Sequence, residues 1–188
     1  MSSSLALPPV PIGDAACGTI DLVAESALWA DEPTAEAVVR RAITTAALAA
    51  APGGGEVSVV LTDDAAIRAL NRTWRNIDKP TNVLSFPLAP TPAAGGLVPP
   101  PAGEESPAQS GTMGDPLLGD IVIAYETVAR GAEQEGRRFS DHLAHLAVHG
   151  FLHLLGYDHD LDSAAEEMER LESRILAQLD VPDPYLTS

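Results

Sequence analysis

The 188-residue sequence has one cysteine, Cys17. That excludes an intrachain disulfide and any cysteine-cluster metal site. It also has one lysine, Lys79, and only 11 basic residues against 27 acidic ones, for a formal net charge of −16. This balance argues against capture of nucleic acid by a broad positive surface, which phosphate binding usually needs. No apolar run approaches the roughly 18 residues of a membrane span. The segment Met1 to Pro9 lacks both a basic start and a continuous apolar stretch. No secretory signal is therefore expected, and a cytoplasmic location is.

What is present suffices for one domain. Apolar residues make up 45%, and although alanine supplies 30 positions, enough Leu, Val and Ile remain for one core. The charge is uneven. Residues 14–36 carry six acids and no base, and 160–180 carry seven acids and two arginines, whereas 65–80 hold Arg68, Arg72, Arg75 and Lys79 against Asp78 alone. Net charge governs long-range steering, but a local cleft can still be positive. Residues 1–18 read as a flexible arm, 19–182 as a single domain and 183–188 as a C-terminal tail. Residues 87–116, with eight prolines and five glycines, read as a flexible insertion.

Within the domain, strand patterns at 20–23, 57–61, 82–86 and 117–125 alternate with helical ones at 33–50, 63–74, 126–136, 141–155 and 163–179. Pro33 suits a helix's first turn, Thr62 or Asp63 and Ser140 suit N-caps, and Gly136 and Gly156 suit helix ends. The alternation predicts an α/β (α+β) fold: a small mixed sheet of about four strands packed against several helices.

All five histidines lie between 142 and 159, centred on His149-Gly-Phe-Leu-His153-Leu-Leu-Gly156-Tyr-Asp-His159. Residues four apart share a helix face, so His149 and His153 can offer nitrogens to one ion. A left-handed Gly156 can reverse the chain and return His159 to the pair. Three imidazoles suit zinc first, and three protein ligands leave a position for water, the mark of a catalytic site. A His pair alone arises by chance in many helices; a third His with an intervening glycine is a far more specific pattern. His142 and His145 extend the same face as ordinary helix residues or as supports. Asp158 and Asp160 flank the third ligand and could hydrogen-bond an imidazole or simply face solvent. Cys17 lies in the arm and reads as inert. The spacing equals that of metzincin proteases, whose general base follows the first histidine. Here that position is Gly150, which has no side chain to act.

A second dense region runs from Leu70 to Pro87. Arg75 and Lys79 offer phosphate-binding donors there. Trp74 reads as core, and Arg68 and Arg72 as solvated helix residues. Asp78-Lys-Pro-Thr-Asn-Val-Leu-Ser-Phe-Pro87, then Leu118-Gly-Asp-Ile-Val-Ile123, then the histidine motif, in that order, resemble the YbeY family of bacterial endoribonucleases of rRNA maturation. The resemblance covers about residues 20–180. It implies one zinc ion held by His149, His153 and His159, and a requirement for Arg75 in cleavage. It also implies action on single-stranded RNA, notably the 3′ end of 16S rRNA, and a part in ribosome quality control with the small subunit and its assembly factors.

The catalytic residues expected are therefore Arg75, His149, His153 and His159, with Arg75, Lys79 and Ser85 touching substrate. Asp158 and Asp120 are the candidate bases, though Asp120 reads better as a structural acid at a sheet edge. No membrane or DNA partner is expected. Two rivals remain: a metzincin-like metallopeptidase, and a ribosome-assembly factor with little catalysis, whose acidic faces would meet basic ribosomal proteins.

Overall fold

A computed structural model describes residues 18–50, 55–88, 117–157 and 162–185. Among them are β1 (Ile20–Ala24), α1 (Ala35–Ala50), β2 (Glu56–Thr62), α2 (Asp64–Arg75), β3 (Val83–Pro87), β4 (Leu117–Ala124), α3 (Tyr125–Gln134), α4 (Phe139–Leu154) and α5 (Asp162–Gln178). The strands form one mixed sheet in the order β1-β2-β4-β3. β1, β2 and β4 run parallel, and β3 runs antiparallel at the β4 edge. This is the small mixed sheet with several helices that the sequence predicts. Most of the arm, most of the Pro/Gly insertion and the stretch carrying Asp158, His159 and Asp160 lie outside the described residues, as does Cys17.

Side chains alternate across a strand, so each strand feeds two layers. Val57, Val59, Leu61, Ile121 and Ile123 join the main core with α1, α4 and α5. Leu84, Val122 and Ala124 turn the other way and pack with Ile67 of α2, beside Leu70 and Phe86. The near-continuous apolar character of β2 and β4 follows from burial on both faces. The same alternation sends Val83 and Ser85 of β3 toward α4.

Chain ends and caps account for the helix limits. Asp63 caps α2 as expected, its Oδ1 accepting from the Ala66 N–H at 3.0 Å. Ser140 does not cap α4. The cap is Arg138, and the helix starts at Phe139, two residues before the expected start. The Asp141 carboxylate reaches back to Arg138 Nε at 2.9 Å, and Phe139 packs on Tyr125 with ring centroids 5.4 Å apart. Pro33 lies ahead of α1 rather than in its first turn, because a separate 3-10 turn at Ala27–Asp31 precedes it. That turn is pinned by Trp29, whose indole N–H donates to the Thr62 carbonyl at 2.8 Å.

Candidate metal centre

α4 carries the site and is the most enclosed helix, with buried residues on most of its surface. It crosses the β3–β4 edge of the sheet at Gly150. A Cβ at that position would lie 3.1 Å from Ile121 Cγ2, 3.2 Å from Ser85 Oγ and 3.2 Å from Val83 Cγ2. Gly150 thus sits at a close approach where any side chain would press on Ile121, Ser85 and Val83. The Ser85 hydroxyl donates to the Gly150 carbonyl at 3.0 Å, and Ser85 is buried. Strand β3 thus holds the helix turn that carries His149.

His149 and His153 do share a face, and their Nε2 atoms stand 3.0 Å apart. Two nitrogens bound at about 2.05 Å to one tetrahedral ion lie about 3.3 Å apart, so the pair is set close to the spacing of shared ligation. The helix then ends as the sequence predicts. Gly156 takes φ 89°, its N–H donates to the His153 carbonyl at 3.0 Å, and the Tyr157 N–H donates to the Leu152 carbonyl at 3.1 Å. This pair of bonds closes the helix and turns the chain back. His159 follows outside the described residues.

The structure adds two residues that the sequence pattern did not single out. Glu172 of α5 is fully buried, and its Oε1 lies 2.8 Å from His149 Nδ1. The Tyr185 hydroxyl donates a short hydrogen bond to the other oxygen, Oε2. Burial alone would raise the Glu172 carboxyl. The hydrogen bonds from His149 and Tyr185, and the nearby imidazoles, outweigh it and hold the pKa below the usual range. A carboxylate can only accept, so His149 Nδ1 carries the hydrogen and Nε2 presents a lone pair toward His153. Burial, and then the bond to Glu172, push the Tyr185 phenol upward, which keeps it a donor.

His145 belongs to this group as well. His145, His149 and Glu172 offer ligand atoms within 4.8 Å of one another, a set that can hold a metal ion. His145 Nε2 is 4.0 Å from Glu172 Oε2, and burial brings its pKa down to about 4, so the ring is neutral near pH 7. His142 sits one turn earlier, buried against Gly131, with its pKa also lowered by burial. Rings 142, 145, 149 and 153 form a ladder along α4, with centroids 6.4, 6.2 and 4.5 Å apart in turn.

The basic segment is placed less directly. Arg75 is the last residue of α2, on the sheet face opposite α4, and its side chain is exposed. Asn76 follows in the left-handed region at φ 57°. The loop to β3 is tied back to α2 at two points: Arg68 bonds both oxygens of Asp78 at 2.8 and 2.9 Å, and Asn71 Nδ2 donates to the Lys79 carbonyl at 2.8 Å. Arg68 is therefore ion-paired rather than merely solvated. The Lys79 side chain is exposed, and β3 carries the chain on to Val83 and Ser85 beside Gly150. Trp74 is half-buried and packs edge-on to Phe86, at the margin of the α2 side rather than inside either buried cluster. Asp120 is exposed and lies on β4, an inner strand rather than a sheet edge, where it pairs with Phe86 of β3. Its parity directs it to the α2 face, away from the histidines.

Sheet, helix and buried imidazole–carboxylate cluster together define an α+β protein with a histidine–glutamate group that could hold a metal ion, on helices packed against the sheet. A model of the family "Endoribonuclease YbeY" matches residues 24–180, and the chain belongs to that family. Three relatives carry the name endoribonuclease YbeY. The protein from a Bradyrhizobium species is 52% identical over 170 residues, spanning 89% of this chain and 92% of its own. That of Rhodopseudomonas palustris is 51% identical over 177 residues, 93% and 85%. That of Nitrobacter winogradskyi is 54% identical over 160 residues, 84% and 76%. A solution structure of a Thermotoga maritima protein aligns with 90% of this chain and all of its own at 21% identity and a TM-score of 0.49, too distant to add to the assignment. No helix among the described residues is long and apolar enough to cross a membrane.

Proposed function

We propose that this chain is a metal-dependent endoribonuclease that cleaves single-stranded RNA, with zinc held by His149, His153 and His159. Family membership supplies the reaction class. The observation that carries the metal reading is the His149–His153 pair at 3.0 Å, with the far nitrogen of His149 engaged by a buried carboxylate. When bound, the ion supplies Lewis acidity at a phosphodiester and lowers the pKa of solvent that would attack it. The chain's own part is to aim the imidazoles, to keep His145 neutral beside them and to bring the phosphate in. Arg75 and Lys79, at the end of α2 and in the loop that leads to β3 beside Gly150, serve that last purpose, Arg75 with a planar fork of donors suited to phosphate oxygens. Ser85, expected from the sequence to touch substrate, is buried with its hydroxyl on the Gly150 carbonyl, so its part is to hold the turn of α4 that carries His149. Asp158 is the base candidate that remains after Asp120 is set aside by its position.

The substrate proposed is rRNA of the small ribosomal subunit, at the 3′ end of the 16S species, within cytoplasmic ribosome maturation and quality control. A single strand suits a chain of net charge −16, because a duplex would bring a far larger phosphate surface against it. The same charge favours a second reading, an assembly factor whose acidic faces meet basic ribosomal proteins. The two separate cleanly. Arg75→Glu is expected to abolish cleavage of a single-stranded RNA while zinc stays bound. Full cleavage by that variant would contradict the role given to Arg75. Subunit co-purification by a cleavage-dead His153→Ala protein would favour the assembly role.

A further inference from the structure

We propose that Glu172 and Tyr185 are positioning residues for the ligand His149, a brace by which the chain's C-terminal segment aims the metal centre. This rests on the metal role proposed for His149. Glu172 belongs to the inward stripe of α5, in phase with Met168, Leu171 and Ile175, and is buried with them. A carboxylate at such a place needs partners, and it has one on each oxygen. Its bond to Nδ1 selects the tautomer in which Nε2 can ligate and fixes the ring's rotation.

The second partner arrives by a designed turn of the backbone. Just past α5, Asp180 takes φ 59°, and the Val181 N–H donates to the Leu176 carbonyl at 3.0 Å, which reverses the chain. Pro182 and Pro184 restrict the next residues, and the Tyr185 N–H donates to Asp183 Oδ1 at 2.9 Å. The phenol is thereby returned along α5 to Glu172, thirteen positions earlier. Residues 183–185, at the start of the segment that the sequence presents as a tail, are part of the site's support.

The alternative within the same atoms is that His145, His149 and Glu172 hold the ion themselves. Distances favour the brace. Glu172 Oε1 faces His149 Nδ1 at 2.8 Å while Nε2 of the same ring faces His153 at 3.0 Å, and one imidazole offers only one of its two nitrogens to a given ion. Oε2 is already engaged by Tyr185.

The test compares wild type, Glu172→Gln, Tyr185→Phe, His145→Ala and His153→Ala by zinc competition titration against a chromophoric chelator. Two-bond proton–nitrogen NMR of the wild-type, Glu172→Gln and Tyr185→Phe proteins reads the His149 tautomer. Glu172→Gln is expected to weaken zinc about 10- to 100-fold, the usual effect of losing such a partner, and to mix the tautomers. Tyr185→Phe, altered at a 40% exposed side chain, is expected to keep its fold and shift both readouts the same way by less. Unchanged affinity and tautomer in both variants overturn the brace alone, whereas a wild type that binds no zinc overturns the metal reading with it. Zinc retained by His153→Ala but lost by His145→Ala overturns the brace in favour of direct ligation by Glu172.

Discussion

Gly150 shows how one residue serves both packing and chemistry. Its missing side chain lets α4 approach β3 and β4 closely enough for Ser85 to hold the helix backbone. Gly150→Ala places a methyl against three atoms at 3.1–3.2 Å. Overpacking of this kind costs about 1–3 kcal/mol. Thermal or denaturant unfolding is expected to show that loss, together with reduced zinc retention because the turn carrying His149 shifts. Wild-type stability in that variant would mean that α4 is not so closely seated. His153→Ala removes one of the two facing nitrogens and leaves the Glu172–His149 bond intact. It is expected to lose bound metal and cleavage while folding normally by circular dichroism.

At the scale of elements, the α2–β3 loop is the adjustable part. Arg68 and Asn71 bracket it, and both belong to α2. The hydrogen bond from Arg68, with its charge, holds the Asp78 carboxyl below its ordinary value. A depressed carboxyl contributes stability that is present above its unfolded pKa and lost as pH falls through the folded one. The stability difference between wild type and Arg68→Ala is therefore expected to be small, constant near neutral pH and to fade in acid as the Asp78 carboxyl takes up its proton. A difference that persists into more acid solution would assign Arg68 another role. Much of this level was legible in the residues. β2 and β4 announce themselves by apolar runs, and the Gly136 and Gly156 stops, the latter closing α4, by their freedom at positive φ. The strand order was not, since hydrogen-bond partners across a sheet leave no local pattern. Glu172 was hidden among Glu166, Glu167 and Glu169, and only its phase with Met168 and Ile175 marks it. Tyr185 had no signal beyond the prolines beside it.

Over the whole molecule, a charge of −16 must coexist with an RNA substrate. Arg72, Arg75 and Lys79 are the exposed cations of the basic segment besides Arg68, which is paired with Asp78. If these three meet phosphates, a single-strand slope of about 0.7 per contact predicts roughly a twentyfold loss of affinity between 50 and 200 mM salt. A loss of thousands would demand a larger positive surface than this segment offers. The central claim, an ion shared by His149 and His153, is tested most directly by elemental analysis of the purified protein alongside cleavage of single-stranded RNA. The account predicts about one divalent ion per chain, activity lost on chelation and activity restored by zinc. Undiminished cleavage by a preparation shown to contain no metal would contradict it.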